Sequence, residues 1–301
     1  MSLELCVLGS GSAGNSTVLR AVEGGGGGAA FLIDAGFGPR ATEQRLHGAG
    51  LSVADLSAIV LTHLDSDHFN YYWLLTLLKH SIRVHVARRH ARQLLHAPAV
   101  RDLRLKLAQK NLPQDAFDRL VTPFDDALTP IPGVHMEALP LAHDEAGSHG
   151  FLITSGGYRV GYATDLGRVP EELIARFCGV DVLALESNYD PYMEETSGRP
   201  WQLKRRIMGG SGHLSNEQAF AAVQAILDRT TATCGPGRLP RHIVLLHRSR
   251  QCNCPKLLQK LFSADPRIAP VLTLAHQHER TTWLHPRRGR TQHVEQLTLA
   301  W

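Results

Sequence analysis

The sequence predicts an α/β fold in which two packed β-sheets carry helices on their outer faces, a four-layer αββα sandwich. Three observations predict it. Short apolar runs of strand length fall into two groups along the chain, and helical stretches are interspersed among them. No repeat, linker or low-complexity tail divides the 301 residues. A single domain over residues 1–301 is the expectation, with a basic helical excursion at about 88–126.

Residues 3–8, 17–21 and 31–33 are the first short apolar strands. The five consecutive glycines at 24–28 read as a hairpin tip, because neither a helix start nor a lysine follows to make a phosphate cradle. Residues 41–49 and 71–80 have helical character, and 83–87 reads as a strand. Leu56-Ser57-Ala58-Ile59-Val60-Leu61 has the length and composition of a buried strand. Across 88–126, Arg, Lys and Leu recur at helical spacing, as in Leu103, Leu105, Leu107 and Leu112. A solvated amphipathic face explains that charge more simply than a nucleic-acid contact. Strands resume at 135–141, 151–154 and 158–163. A helix at 170–177 leads to a strand at 182–186, and helices at 200–208 and 216–228 to a strand at 242–247. Residues 271–276 and 293–299 close the chain as strands.

Composition narrows the function classes. Hydrophobic residues at 43% and charged residues at 20% describe an ordinary globular protein, and a net charge of +4 is compatible with a phosphate-bearing partner. No apolar run reaches the roughly 18 residues of a membrane span. The start, Met1-Ser2-Leu3-Glu4-Leu5-Cys6, lacks a basic segment followed by an apolar one, so no secretory signal is expected. Five scattered cysteines make no disulfide framework, which points to a reducing cytoplasm. Cys252 and Cys254 lack the second pair that a zinc site needs, and read as structural.

The chemistry concentrates in Thr62-His63-Leu64-Asp65-Ser66-Asp67-His68, where four of seven side chains are metal ligands at the end of a buried strand. A polar surface loop would have no reason to follow a core strand so closely. Imidazole with carboxylate favours Zn, Mn, Fe or Co over a thiolate site. His143, Asp165 and His247 also end strands. Taken singly, each is an ordinary polar strand end, but the recurrence gathers His63, Asp65, Asp67, His68, His143, Asp165 and His247 at one sheet edge. That is too many for one tetrahedral zinc and enough for two divalent ions with Asp165 as the bridge.

This order resembles the metallo-β-lactamase fold, whose signature is His-x-His-x-Asp-His followed by a separate His, Asp and His. The run Gly9-Ser10-Gly11-Ser12-Ala13-Gly14-Asn15-Ser16, with Leu32-Ile33-Asp34-Ala35-Gly36, resembles the WalJ/YycJ group of that superfamily. So do Glu186-Ser187-Asn188-Tyr189-Asp190, Leu203-Lys204-Arg205-Arg206-Ile207 and Gly212-His213-Leu214-Ser215-Asn216-Glu217. The resemblance covers most of residues 3–255 and is weakest over 88–126. It implies a cytoplasmic 5′ to 3′ DNA exonuclease linked to DNA repair, holding two divalent ions (zinc or manganese, with iron a further candidate). Two departures stand out. Asp65 replaces the second histidine of the signature, which shifts preference toward harder ions such as Mn²⁺ or weakens zinc retention. After His247 the chain reads Arg-Ser-Arg-Gln-Cys-Asn where the group has Leu-Ser.

By this reading His63, Asp65 and His143 hold one ion, Asp67, His68 and His247 the other, and Asp165 bridges them. Asp67 has a second role in orienting the attacking water, and His213 protonates the leaving oxygen or bonds the scissile phosphate. Lys204 and Arg205 are the candidates for DNA backbone contacts. Asn188 is a further candidate substrate contact, as are Ser215 and Asn216, where a phosphate would rest on a helix start. For Ser215 a structural helix cap is the favoured alternative. Asn15 and Asp34 are expected to support the histidine ligands. His149, His276 and His278 match nothing in the pattern. A second enzyme reading keeps the ions but takes RNA or a small phosphodiester, such as a cyclic nucleotide or a phosphonate-derived diester. A third is a nucleic-acid-binding module without catalysis.

Overall fold

The computed structural model describes residues 2–22 and 28–285. In chain order the first half comprises β1 (Ser2–Gly9), β2 (Ser16–Val22), β3 (Gly28–Ile33), α1 (Pro39–Gly48), β4 (Leu56–Val60), α2 (Leu74–His80), β5 (Arg83–Ala87), α3 (Arg88–Leu95), α4 (Pro98–Gln109) and β6 (Val121–Phe124). The second half comprises β7 (Ala127–Leu128), β8 (His135–Leu141), β9 (Ser148–Ser155), β10 (Tyr158–Ala163), α5 (Glu171–Arg176), β11 (Val182–Glu186), α6 (Pro191–Thr196), α7 (Trp201–Met208), α8 (Asn216–Cys234), β12 (His242–Leu246), α9 (Pro255–Phe262) and β13 (Leu272–Leu274).

The strands form a six-stranded sheet, β1 to β6, and a seven-stranded sheet, β7 to β13, each in sequence order among the described residues. Both begin as antiparallel meanders and become parallel, from β3 onward in the first and from β10 onward in the second. A period of two along each strand decides which core each side chain joins. On β4, Ala58 and Val60 point between the sheets while Ile59 points to the helices outside. On β11, Val182 and Ala184 point inward, and Leu183 and Leu185 outward. The inward set meets across the sheets, with Leu5, Phe31 and Val60 on one side and Phe151, Tyr162 and Val244 on the other. α1 to α4 cover the first sheet through Leu46, Leu77, Leu94 and Leu103, and α5, α8 and α9 cover the second through Leu173, Val223 and Phe262. The arrangement is the expected αββα sandwich.

Three expectations need correction or lie elsewhere. The 88–126 segment is α-helical only to Gln109, with a single 3-10 turn at Asp118–Leu120, and Val121–Phe124 adds a sixth strand by pairing with β5. Of its leucines, Leu103 and Leu107 are buried, whereas Leu105 and Leu112 are exposed. At about 100° per residue, Leu105 lies on the far side of the helix from the core stripe. The glycine run at 24–27 and the strand expected at 293–299 lie outside the described residues. Periodicity also missed α6 and α9, short helices each begun by a proline, at Pro191 and Pro255. Cys252 is buried beside Tyr189 and Ile207, a packing role as expected.

Candidate metal centre

Parallel pairing, together with the antiparallel partners that reverse twice, sends the carboxyl ends of β1, β3, β4, β8, β10, β11 and β12 to one edge of the sandwich. In such open α/β layers the crevice beyond those ends is where ligands bind. Asp34 follows β3, the 62–70 loop follows β4, His143 follows β8, Asp165 follows β10, and His247 follows β12. Asp34, Asp165 and His247 have φ of 62°, 53° and 52°, in the left-handed region. Each costs on the order of 1 kcal/mol or more, a strain that concentrates at functional sites.

The structure brings all seven ligand candidates together. His63, Asp65 and His143 form one group, with Asp65 Oδ2 3.8 Å from His63 Nε2 and 4.0 Å from His143 Nε2. Asp67, His68 and His247 form a second, with Asp67 Oδ2 3.2 Å from His247 Nε2 and 3.7 Å from His68 Nε2. Asp165 stands between them, its Oδ2 3.0 Å from His68 Nε2 and its Oδ1 3.9 Å from His143 Nε2 and 3.5 Å from His247 Nε2. Donors spaced 3–4 Å apart suit a common cation with bonds of about 2.0–2.2 Å.

Hydrogen bonds on the far side of each ring aim the histidines. His68 Nδ1 donates to Asp34 Oδ2 at 2.7 Å. Thr62 Oγ1 donates to the same carboxylate and accepts from His63 Nδ1 at 3.0 Å. His143 Nδ1 donates to the Gly212 carbonyl at 2.8 Å, and His247 Nδ1 faces Glu186 Oε1 at 3.3 Å. The Nε2 of each ring is thereby turned toward the cluster, the arrangement that metal-binding imidazoles require. His63 Nε2 is buried with no hydrogen-bond partner among the described residues, a cost that a bound cation would remove. The donor set therefore fits a divalent metal.

Electrostatics point the same way. Burial pushes the Asp165 carboxyl up, but the charges of His247 and His68 outweigh it and hold it well below the carboxylate range. Burial pulls His68 down, yet Asp165 and Asp34 raise it well above the ordinary imidazole value. His247 is likewise lowered by burial and carried up to about 10 by Asp165, Asp67 and Glu186. These clustered carboxylates favour positive charge on the same nitrogens that a cation would take.

His213 sits over the cluster, stacked on His247 at 5.1 Å between ring centroids, with Nδ1 2.7 Å from Glu186 Oε1. Burial lowers its pKa, but Glu186 and Asp165 raise it overall. Glu186 itself is fully buried and was missed from sequence, although it ends β11 as Asp165 follows β10. The cleft above these groups has a volume of about 220 Å³ and is walled opposite them by Arg199, Leu203, Arg206 and Ile207.

The expected substrate contacts need correction. Lys204 Nζ donates to the carbonyls of Glu195 and Ser197, at 2.7 Å each, and Arg205 lines a separate hollow with Trp201 and Met208. Arg206 is the member of that triplet that faces the cleft, paired there with Asp144. Asn216 is buried, its Oδ1 accepting from Ser187 and Asn253. Ser215 caps α8 by accepting from Gln218 N, so the capping alternative is the one the structure takes. Asn188 lines the cleft, but its amide donates to the His247 carbonyl at 2.7 Å. Asn15 Nδ2 lies 3.0 Å from His68 Nε2, and Asp34 holds His68 and Thr62 as described. Outside the centre, His149 is buried against the Thr62 carbonyl, and His276 and His278 are exposed.

A family model described as "Beta-lactamase superfamily domain" matches residues 30–233. The chain belongs to that superfamily. Among its relatives, "Exodeoxyribonuclease YycJ" of Bacillus anthracis is 27% identical over 257 residues, covering 85% of this chain and 86% of that one. "Exodeoxyribonuclease WalJ" of Streptococcus pneumoniae is 24% identical, covering 89% and 96% respectively. The crystal structure of a diphosphatase from the PhnP family superposes with a TM-score of 0.59 at 16% identity, over 96% of this chain and 99% of that one. Membership and the donor set together make this superfamily member a metal-dependent hydrolase, and leave the non-catalytic reading without support. Among the described residues no helix is long and apolar enough to cross a membrane.

Proposed function

We propose that the protein is a dinuclear metal-dependent phosphodiesterase that digests DNA from the 5′ end, serving DNA repair or metabolism in the cytoplasm. The observation that carries this reading is the division of seven donors into two groups of three joined by Asp165. Residues His63, Asp65 and His143 would hold one ion and Asp67, His68 and His247 the other, with Asp165 between. Two divalent cations supply a water of lowered pKa and neutralise charge on a phosphodiester. Asp67, which burial pushes up but His247 and His68 hold at about 2, stays ionised and orients the attacking water. His213, its pKa raised by Glu186, gives its proton to the oxygen that leaves phosphorus as the new P–O bond forms, and is re-protonated from solvent. Arg206 exchanges Asp144 for a non-bridging phosphate oxygen.

The exodeoxyribonuclease names of relatives aligned over most of both chains favour DNA. A cleft of about 220 Å³ admits a phosphodiester group with part of one nucleotide, which keeps small diesters as the second reading. The test is metal analysis of purified protein, coupled to digestion of 5′- and 3′-labelled duplex DNA beside RNA and bis(p-nitrophenyl) phosphate. Mn²⁺-dependent release of mononucleotides from the 5′ end is expected. Hydrolysis of the small diester alone would replace DNA with a small substrate, and no hydrolysis of any diester would end the proposal.

A further inference from the structure

A second hollow, of about 530 Å³, adjoins the cleft and shares Ser12 and Arg199 with it. Their walls differ in charge. Asp65, Asp67, Asp144 and Asp165 line the cleft, whereas the second hollow is lined by Ser12, Ala13, Arg199, Arg250 and Gln251, with no acid. Arg199 is held rigidly at the junction. Its Nη1 donates to Glu194 Oε2 at 2.8 Å, its Nε to Gln251 Oε1 at 3.1 Å, and its Nη2 reaches Ser249 Oγ at 3.4 Å. Glu194 is fully buried and Arg199 only 18% exposed, so the guanidinium is fixed before any ligand arrives. Three of the five N–H donors of an arginine are then engaged, and the remaining two have no partner among the described residues and are open to a ligand. Arg250 and Ser12 are exposed, and neither side chain has a hydrogen bond or ion pair among the described residues.

We propose that Ser12, Arg199 and Arg250 form a phosphate-binding subsite that receives the phosphate next to the scissile one on the same nucleic-acid strand. This rests on the phosphodiesterase reading above. The Glu194 charge offsets that of Arg199, so Arg199 supplies fixed geometry and Arg250 the net attraction. A preorganised guanidinium fork matches phosphate oxygens in two parallel bonds. The acidic cleft takes the diester that is cut, and the basic hollow holds the strand in register.

The experiment compares thymidine 3′,5′-bisphosphate with the 3′- and 5′-monophosphates as inhibitors of bis(p-nitrophenyl) phosphate hydrolysis, a substrate without a flanking phosphate. The bisphosphate should inhibit about tenfold better than either monophosphate, the gain expected of one charge-assisted contact. Arg199→Gln should abolish that advantage and Arg250→Gln reduce it. Equal inhibition in the wild type overturns the subsite. Arg199→Gln leaves buried Glu194 without its partner and risks misfolding, so Arg250→Gln and Ser12→Ala, at exposed positions, are the second variants. A wild-type advantage that survives in both also overturns it. Absence of all diester hydrolysis instead sinks the phosphodiesterase reading, and the greater rise in Tm with bisphosphate than with monophosphate then tests the subsite by itself. Preference for 5′-phosphorylated over 5′-hydroxyl duplex ends identifies the flanking group as a terminal monoester, and equal digestion as an internal diester; either supports the subsite once the bisphosphate advantage is seen.

Discussion

His68 Nδ1 donates to Asp34 Oδ2 across 2.7 Å, with both side chains fully buried, and the same carboxylate accepts from Thr62, which in turn orients His63. One carboxylate behind β3 therefore aims a histidine in each of the two donor groups.

Asp34→Asn should keep the fold, since asparagine tolerates the left-handed backbone there, while lowering metal affinity by about 10- to 100-fold. Metal retained after dialysis against graded chelator reads the effect. Retention equal to wild type would remove Asp34 from the support of the site.

Asp165→Ala and His68→Ala should each reduce hydrolysis by roughly three orders of magnitude, because losing the bridge or a donor removes several kcal/mol of charge stabilisation. Circular dichroism should remain native. Full activity in either variant would remove the two-ion arrangement.

Asp65→His exchanges a half-exposed anionic oxygen for a neutral nitrogen beside His63 and His143. Zinc retention should rise relative to manganese, since imidazole is the softer ligand. Elemental analysis after equilibration with both metals decides, and an unchanged ratio counts against Asp65 as a ligand.

The clamp assignment separates two neighbours on α7. Arg206→Ala should raise KM for DNA several-fold through loss of a phosphate contact in the cleft. Lys204→Ala should instead lower Tm by a few degrees, on the order of 1 kcal/mol, because its ammonium bonds two carbonyls at the end of α6, those of Glu195 and Ser197. The reverse pattern would restore Lys204 as the substrate contact.

Acid should destabilise the fold through two buried histidines that are not among the ligand candidates. Burial, helped by the nearby charge of Arg83, lowers His85 to about 4, and burial with Arg89 lowers His149 to about 4. The unfolded chain takes up these protons near the ordinary value of about 6.5. Stability from each is thus complete above pH 6.5 and lost as pH falls toward 4, by on the order of 2–3 kcal/mol per site. Neither nitrogen of His85 has a hydrogen-bond partner among the described residues, so His85→Leu removes a titration without removing a bond among them. Urea melts at pH 7 and 5 should show a shallower pH dependence in the variant, and identical slopes would exclude His85.

What was legible in the chain follows from local periodicity. Strands such as β4 and β11 announce themselves because alternate residues must enter two different cores, and a ligand placed just past such a strand is displayed at its end. Hence the run 62–68, His143, Asp165 and His247 stood out, and the sandwich was predictable from strands grouped in two. Glu186 was equally displayed, but a single carboxylate at a strand end carries no signal until His213 and His247 are seen to converge on it. Among Lys204, Arg205 and Arg206 the choice turns on a rotation of about 100° per residue about α7, which only the packing of Ile207 against Tyr189 and Cys252 sets. Arg199 gave no local sign at all, because its position depends on Glu194 being buried by residues distant in sequence. Sequence alone determined the ligand types and the strands that carry them; which charges face the cleft was decided by helix rotation and long-range burial, and neither of these leaves a periodic trace.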